Sequence, residues 1–293
     1  MNKLKFVDAH IHFWNLQHPD LHYEHLQPGF KHPVIKEVEK LRKNYEVEDY
    51  LKETRNSNVV KAIHVQAAIG SKDPVKETEW LQQMADIKGV PNAIVAYSDL
   101  KSPTVETELN RHCQYANVRG IRDFSYGNYL TDPAFHRGFA LLEKYNLVAS
   151  LDVKWEDMGK LRALAEKFPN IPIVLDHCGF PLERTADYFK KWQKGMSNLS
   201  KAKNVICKIS GLGMADPTWT IDSIRPWILH CIEAFQPDRC LFATNWPVDK
   251  LRSTYDELID AYTKILEPFS ENEQKDMFSK NTCLLYTSPS PRD

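Results

Sequence analysis

The sequence predicts an α/β protein folded as a single-domain (β/α)8 (TIM) barrel. Eight short apolar runs recur along 293 residues, segments with helical spacing separate them, and polar residues collect at the C-terminal ends of the runs. Alternating strands and helices imply right-handed βαβ units and a parallel sheet. Eight such units within about 280 residues fit a closed barrel better than a doubly wound sheet. The length alone is compatible with one or two domains. One barrel is expected over residues 1–282.

The first run, KFVDAHIH (5–12), reads as a strand. Alternation puts Phe6, Asp8, His10 and His12 on one face and Val7, Ala9 and Ile11 on the other. The second set is core; the first grows more polar toward its end, as expected of a strand leading from a packed interior into a cleft. The following segment, LQHPDLHYEHLQPGFKHP, is rich in Pro, His and aromatic residues and reads as an active-site loop or lid. Strand two, VVKAIHVQA (59–67), ends near His64 and Gln66. DPVKETEWLQQMADIKG begins with Asp-Pro and stops at Gly89, as a helix does. AIVAYSDL (93–100) and VRGIRD (118–123), which carries Arg122, are strands three and four; a helix follows with Thr131 and Asp132 ahead of Pro133. VASLDV (148–153) brings Asp152, IPIVLDH (171–177) brings His177, VICKISGL (205–212) brings Lys208 and Ser210, and LFATNWPV (241–248) brings Asn245. Period-two alternation groups Leu175 with His177, Ile206 with Lys208, and Leu241 and Ala243 with Asn245 on the inward faces. Active sites of such barrels lie at this C-terminal end.

Two neutral imidazoles one residue apart, His10 and His12, suit a divalent metal or an anionic oxygen, and His177 offers a third. Two such histidines can also merely cap a strand. Arg122 and Lys208 lie on inward faces, where an unpaired cation is costly. Either Asp8 or Asp152 neutralises them, or a carboxylated substrate does. His18, His22, His25 and His32 read as surface loop residues. His112, His136 and His230 fall in helices and receive no role, and Trp14 and Trp246 read as rim packing.

Composition excludes other classes. Hydrophobic residues at 42% and charged residues at 26% permit a sizeable core and do not indicate disorder. A net charge of -1 gives no support for nucleic-acid or acidic-membrane binding. No apolar run reaches the roughly eighteen residues of a spanning helix. Six cysteines without CxxC spacing argue against a disulfide framework or structural zinc. The expectation is a cytoplasmic protein with a small-molecule substrate, its oligomeric state open. The final segment CLLYTSPSPRD (283–293) resembles a reading frame of a transposase adapter used for sequencing libraries. It is set aside as a non-native tail, with native sequence expected to continue differently beyond about Thr282.

In order along the chain, DAHIHFW, HVQAA, the GIRD arginine, LDHCGFP, CKISGL and FATNWPVD resemble the amidohydrolase-related TIM-barrel hydrolases, in the branch of sugar-acid and dicarboxylate lactonases. The resemblance spans residues 5–282. It implies hydrolysis of the internal ester of a small lactone. Carried over motif by motif, it implies that His10, His12 and His177 form the metal or substrate-carbonyl site and that Arg122 and Lys208 hold the substrate. His64, at the end of strand two, is added as a substrate-binding candidate.

Two departures matter. Members with a strong metal site carry an aspartate on strand eight; here Asn245 stands, and an amide neither takes a proton from water nor adds negative charge to a cation site. Strand four ends in Arg122 where two-metal relatives place a carboxylated lysine, and strand five lacks their histidine, so a two-metal centre is not expected. The expected cofactor is one divalent ion, zinc before others, on His10, His12 and His177; the alternative is a metal-independent site in which the imidazoles polarise the carbonyl. Asp152, Asp249 or an unligated His177 would activate water, and Asn245 would orient it or stabilise the oxyanion. A metal-dependent decarboxylase and a non-catalytic binding relative are the alternative readings.

Overall fold

The computed structural model describes residues 4–125 and 127–287. Eight strands form one sheet in sequential order: β1 (Phe6–Ile11), β2 (Val59–Val65), β3 (Ala93–Tyr97), β4 (Val118–Arg122), β5 (Val148–Leu151), β6 (Ile173–Leu175), β7 (Val205–Ile209) and β8 (Cys240–Phe242). Every neighbouring pair is parallel. The surrounding helices are α1 (Val47–Thr54), α2 (Val75–Lys88), α3 (Val105–His112), α4 (Pro133–Lys144), α5 (Met158–Lys167), α6 (Ala186–Leu199), α7 (Leu212–Ala215), α8 (Ile221–Phe235), α9 (Tyr255–Leu266), α10 (Glu271–Lys275) and α11 (Asn281–Tyr286). This is the expected (β/α)8 barrel. The helix signals act as read: the Asp132 side chain accepts the Ala134 N–H ahead of α4, and Gly89, at φ 76°, ends α2.

The seam between β8 and β1 closes through a bridge from Ile11 to Trp246 and through the His12 N–H, which donates to the Trp246 carbonyl at 2.7 Å. Asp8 reinforces it. Its carboxylate accepts the Thr244 N–H at 2.9 Å, the Thr244 hydroxyl at 2.5 Å and the Tyr255 hydroxyl of α9 at 2.8 Å.

The core has two layers. Small and β-branched residues fill the barrel interior, among them Ala9, Ile63, Val65, Val95, Val148, Val174 and Ala243, while a larger layer packs strands against helices. Three inward-facing assignments made by strict alternation fail here. In β1, three residues from Asp8 to Ile11 advance against two in β2, a bulge that turns Phe6 and Asp8 outward and leaves His10 and His12 at the mouth. In β2, Ile63 and Val65 are the interior residues, so His64 packs on the other side against Phe13, ring centroids 5.6 Å apart. In β6, Val174 rather than Leu175 is interior, which sends Asp176 inward.

At the far end of the chain, α11 buries Thr282 and Tyr286, the latter joining the interior cluster. Residues 288–293, the remainder of the segment read as adapter-derived, lie outside the described residues. Among the described residues no helix is long and apolar enough to cross a membrane.

Candidate active site

At the C-terminal mouth of the barrel lies a cavity of about 440 Å³, with Gln66, Arg122, Asp152, His12, His177 and Asn245 among its lining residues. That volume is in the range of small-molecule sites. Arg122 organises one side. Its Nη2 donates to Asp152 Oδ2 at 2.7 Å and its Nη1 to Gln66 Oε1 at 3.3 Å, and its Nε lies 3.5 Å from Asp176 Oδ2. Below, the fully buried Lys208 ammonium sits 2.7 Å from Asp176 Oδ1 and 3.3 Å from His10 Nδ1, and the Ser150 hydroxyl donates to Asp176 Oδ2 at 2.7 Å. Two cations and two carboxylates therefore face one another.

The two carboxylates differ. Burial opposes charge on Asp176, yet Lys208, His10 and Arg122 hold its carboxyl well below the usual range. Burial raises Asp152 despite Arg122, and the nearby Asp176 charge adds to the rise. Asp152 is also the more open, with 23% of its side chain exposed. Gln66 Nε2 and Asp152 Oδ1, on two residues that line the cavity, have no hydrogen-bond partner among the described residues. Lys208 is itself pushed down by burial, with Asp176 working against that.

The imidazoles are held neutral. His12 donates Nδ1–H to the Val65 carbonyl at 2.7 Å, which leaves Nε2 as an acceptor 3.1 Å from His10 Nε2. Burial, then Arg122, push His12 down to about 4. His10 is lowered by burial and Lys208. Burial also lowers His177, helped by Arg122 and Lys208 and opposed by Asp176. The His177 ring leans on His10 with centroids 4.6 Å apart, and its Nδ1 is 2.9 Å from Ser210 Oγ. His177 and Asn245 both hold left-handed backbone, at φ 51° and 56°. Such conformations are costly for non-glycine residues and collect at functional sites. Asn245 donates Nδ2–H to Asp249 Oδ1 at 3.4 Å, and burial raises Asp249 to about 7.

The sequence profile of the amidohydrolase family matches residues 7–286. The chain belongs to the amidohydrolase family. It is 37% identical to the uncharacterized protein y4mH of Sinorhizobium fredii, over 98% of this chain and 99% of that one. It is 25% identical to the L-fucono-1,5-lactonase of Burkholderia multivorans, covering 98% and 97% of the two chains. A crystal structure of a Burkholderia multivorans amidohydrolase with bound zinc superposes with a TM-score of 0.83 at 24% identity, over 97% of this chain and all of that one.

The fit of this amidohydrolase's own residues to a cation is incomplete. His10 and His12 present nitrogens 3.1 Å apart, close to the roughly 3.3 Å that two nitrogens bound to one tetrahedral zinc would keep. The third expected ligand does not join them. Among the described residues, the trio of His, Cys, Asp or Glu donors lying within 4.8 Å of one another is Cys178, Cys207 and Cys231, not the three histidines. A cationic neighbour, Lys208, stands where a carboxylate would help. His177 packs on His10, but the donor atoms of His10, His12 and His177 do not all lie within 4.8 Å of one another, and the chemistry below is carried by the protein's own side chains.

Of the other expected residues, Arg122, Asp152, His177 and Asn245 line the cavity; His64, Lys208 and Asp249 do not. Of the partners left open for the two cations, Asp152 pairs with Arg122, whereas Lys208 pairs with Asp176 and not with Asp8 or Asp152. Asp176 escaped the sequence reading because alternation from Leu175 and His177 points it outward. Two loop histidines are corrected too: His25 and His32 line the cavity wall instead of the outer surface.

Proposed function

We propose that this amidohydrolase opens the internal ester of a lactone by attack of water, with Asp152 as general base, Gln66 donating to the carbonyl oxygen as charge grows on it, and Arg122 holding both residues in place. One observation carries this reading. A single guanidinium holds Gln66 Oε1 and Asp152 Oδ2, and the other polar atom of each side chain, the amide donor Gln66 Nε2 and the carboxylate acceptor Asp152 Oδ1, has no hydrogen-bond partner among the described residues. The donor suits an oxyanion. The acceptor suits a water proton, and its raised pKa makes it a stronger base.

The proton that Asp152 takes from water passes on to the alkoxide released when the ring opens, and the neutral His177, whose Nδ1 faces Ser210, offers its remaining ring nitrogen as a hydrogen-bond partner to that leaving oxygen. Asn245 and Asp249 are positioning residues, since the amide is tied to the buried carboxyl and sits beside His12. Lactones are activated esters, so a modest base suffices. The lactonase named among the relatives supports the choice of reaction. Decarboxylation is less well served, because both buried cations already have carboxylate partners.

The test is a pH-stat assay of γ- and δ-lactones, run before and after dialysis against a chelator. Saturable acid release without carbon dioxide, unchanged by chelation, is expected. Carbon dioxide release, or no acid from any lactone, would overturn the reading; activity lost on chelation and restored by zinc would overturn its metal-free form.

A further inference from the structure

The polar floor covers only part of the cavity. The rest of the wall is hydrocarbon: Phe30, Val34, Ile35, Phe124, Phe180 and Met214 all line it. Several polar atoms in this wall are already committed to the protein itself, and the polar side chains of His25, Ser125 and Lys154 lie beside the hydrocarbon part. His32 Nδ1 accepts the Val34 N–H at 3.1 Å and the Ile35 N–H at 2.9 Å. Trp14 Nε1 donates to the Lys43 carbonyl at 2.6 Å. Asp123 accepts the N–H groups of Leu100 and Ser125 at 2.7 and 2.5 Å. A substrate hydroxyl lying against the Phe30, Ile35 and Phe124 part of this wall would lose its water without gaining a partner, which is unfavourable.

On the floor neither Arg122 nor Lys208 is free for a substrate carboxylate; the remaining cation of the lining, Lys154, is solvent-exposed. Asp152 and Asp176 engage Arg122, Asp176 engages Lys208, and the Phe124 ring covers the guanidinium with its centroid 4.3 Å from Cζ. Specificity arises when buried groups are matched or left unmatched by the ligand.

We infer that the substrate is a lactone whose ring meets the Gln66, Arg122 and Asp152 floor and whose substituent is hydrocarbon, seated against Phe30, Ile35 and Phe124, in place of a polyhydroxylated or carboxylated sugar lactone. This rests on the lactonase reading above and specifies its substrate class.

Three probes with the same six-membered ring test it: δ-valerolactone, which is bare; δ-decalactone, which carries a pentyl chain; and D-glucono-1,5-lactone, which carries hydroxyls. Since burying methylene groups is favourable, kcat/KM for δ-decalactone should exceed that for each of the others by about tenfold or more. In Phe30→Asn and Ile35→Asn the advantage of δ-decalactone over δ-valerolactone should shrink several-fold, mainly through KM. Binding is followed in parallel by the change in intrinsic tryptophan fluorescence, to which Trp14 in the cavity lining contributes, so that the two ideas fail separately. No turnover of any probe, with δ-decalactone still binding most tightly, removes the lactonase reading and keeps the apolar class. Gluconolactone binding as tightly as δ-decalactone, or turned over as well, overturns the inference while leaving the reaction intact; equally overturning is an advantage that survives both wall substitutions.

Discussion

Asp152 is asked to take a proton, and Asp152→Asn removes that capacity while keeping an acceptor for Arg122. Loss of a general base costs about 10²–10⁴-fold in rate, so kcat should fall by that much with KM changed little. A variant within threefold of wild type in steady-state assays would remove Asp152 from the base role. The raised carboxyl also sets a sign: the active form is the carboxylate, so kcat/KM falls with falling pH through a value above the ordinary 3.8 of aspartate. Gln66→Leu keeps shape and removes the donor, with an expected loss of about 10²–10³-fold in kcat; an unchanged kcat would place the oxyanion elsewhere. At this scale the sequence is readable where chemistry is stated by residue type and strand end, as with Arg122, Asp152 and Asn245. It places Gln66 at the end of strand two but gives no sign that Arg122 will hold its oxygen and leave its nitrogen free, because that depends on a contact between β2 and β4.

The strands themselves were legible from apolar runs and turn signals, and their order follows from the βαβ rule. What alternation could not carry was direction wherever a strand departs from an even pleat. One added residue in β1 turns Asp8 away from the mouth and against α9. A left-handed step at His177 and Cys178 lets both Asp176 and His177 reach the mouth from adjacent positions. The loop after β1 likewise could not reveal that His25 and His32 would fold back over the cavity, since loop path is set by what it packs on. The displaced Asp8 has its own consequence. It gathers three donors at the one seam that lacks a continuous strand pairing. Asp8→Ala would leave two buried N–H groups, of His10 and Thr244, and two hydroxyls without an acceptor, costing about 2–5 kcal/mol of unfolding free energy in urea titration. A loss under about 1 kcal/mol would assign closure of the barrel to the Ile11 and Trp246 bridge instead.

Across the whole molecule, buried titratable groups pull stability in opposite directions as pH changes. Burial raises Asp8 to about 6 and both Glu77 and Asp249 to about 7. These folded-state carboxyls hold protons that the unfolded chain releases, so their contribution declines as pH rises from the ordinary carboxyl range toward 7. Burial lowers His12, His32 and His112 to about 4, and their contribution has the other sign: it is present above 6.5 and is lost as pH falls toward 4. Glu77 isolates one side of this balance. Its Oε1 accepts the N–H groups of Ala67 and Ala68, both at 2.8 Å, and so anchors α2 to the turn that follows Gln66. Glutamine can keep those two bonds through its own oxygen but cannot ionise. Glu77→Gln should therefore match wild type near pH 4.5 and exceed it above pH 7 by up to roughly 3 kcal/mol, the value of the shift from 4.5 to about 7. Chemical denaturation of both proteins across that interval reads the difference directly. Parallel stability curves would mean that Glu77 titrates in the folded protein as it does in the unfolded chain, with the two backbone donors offsetting its burial.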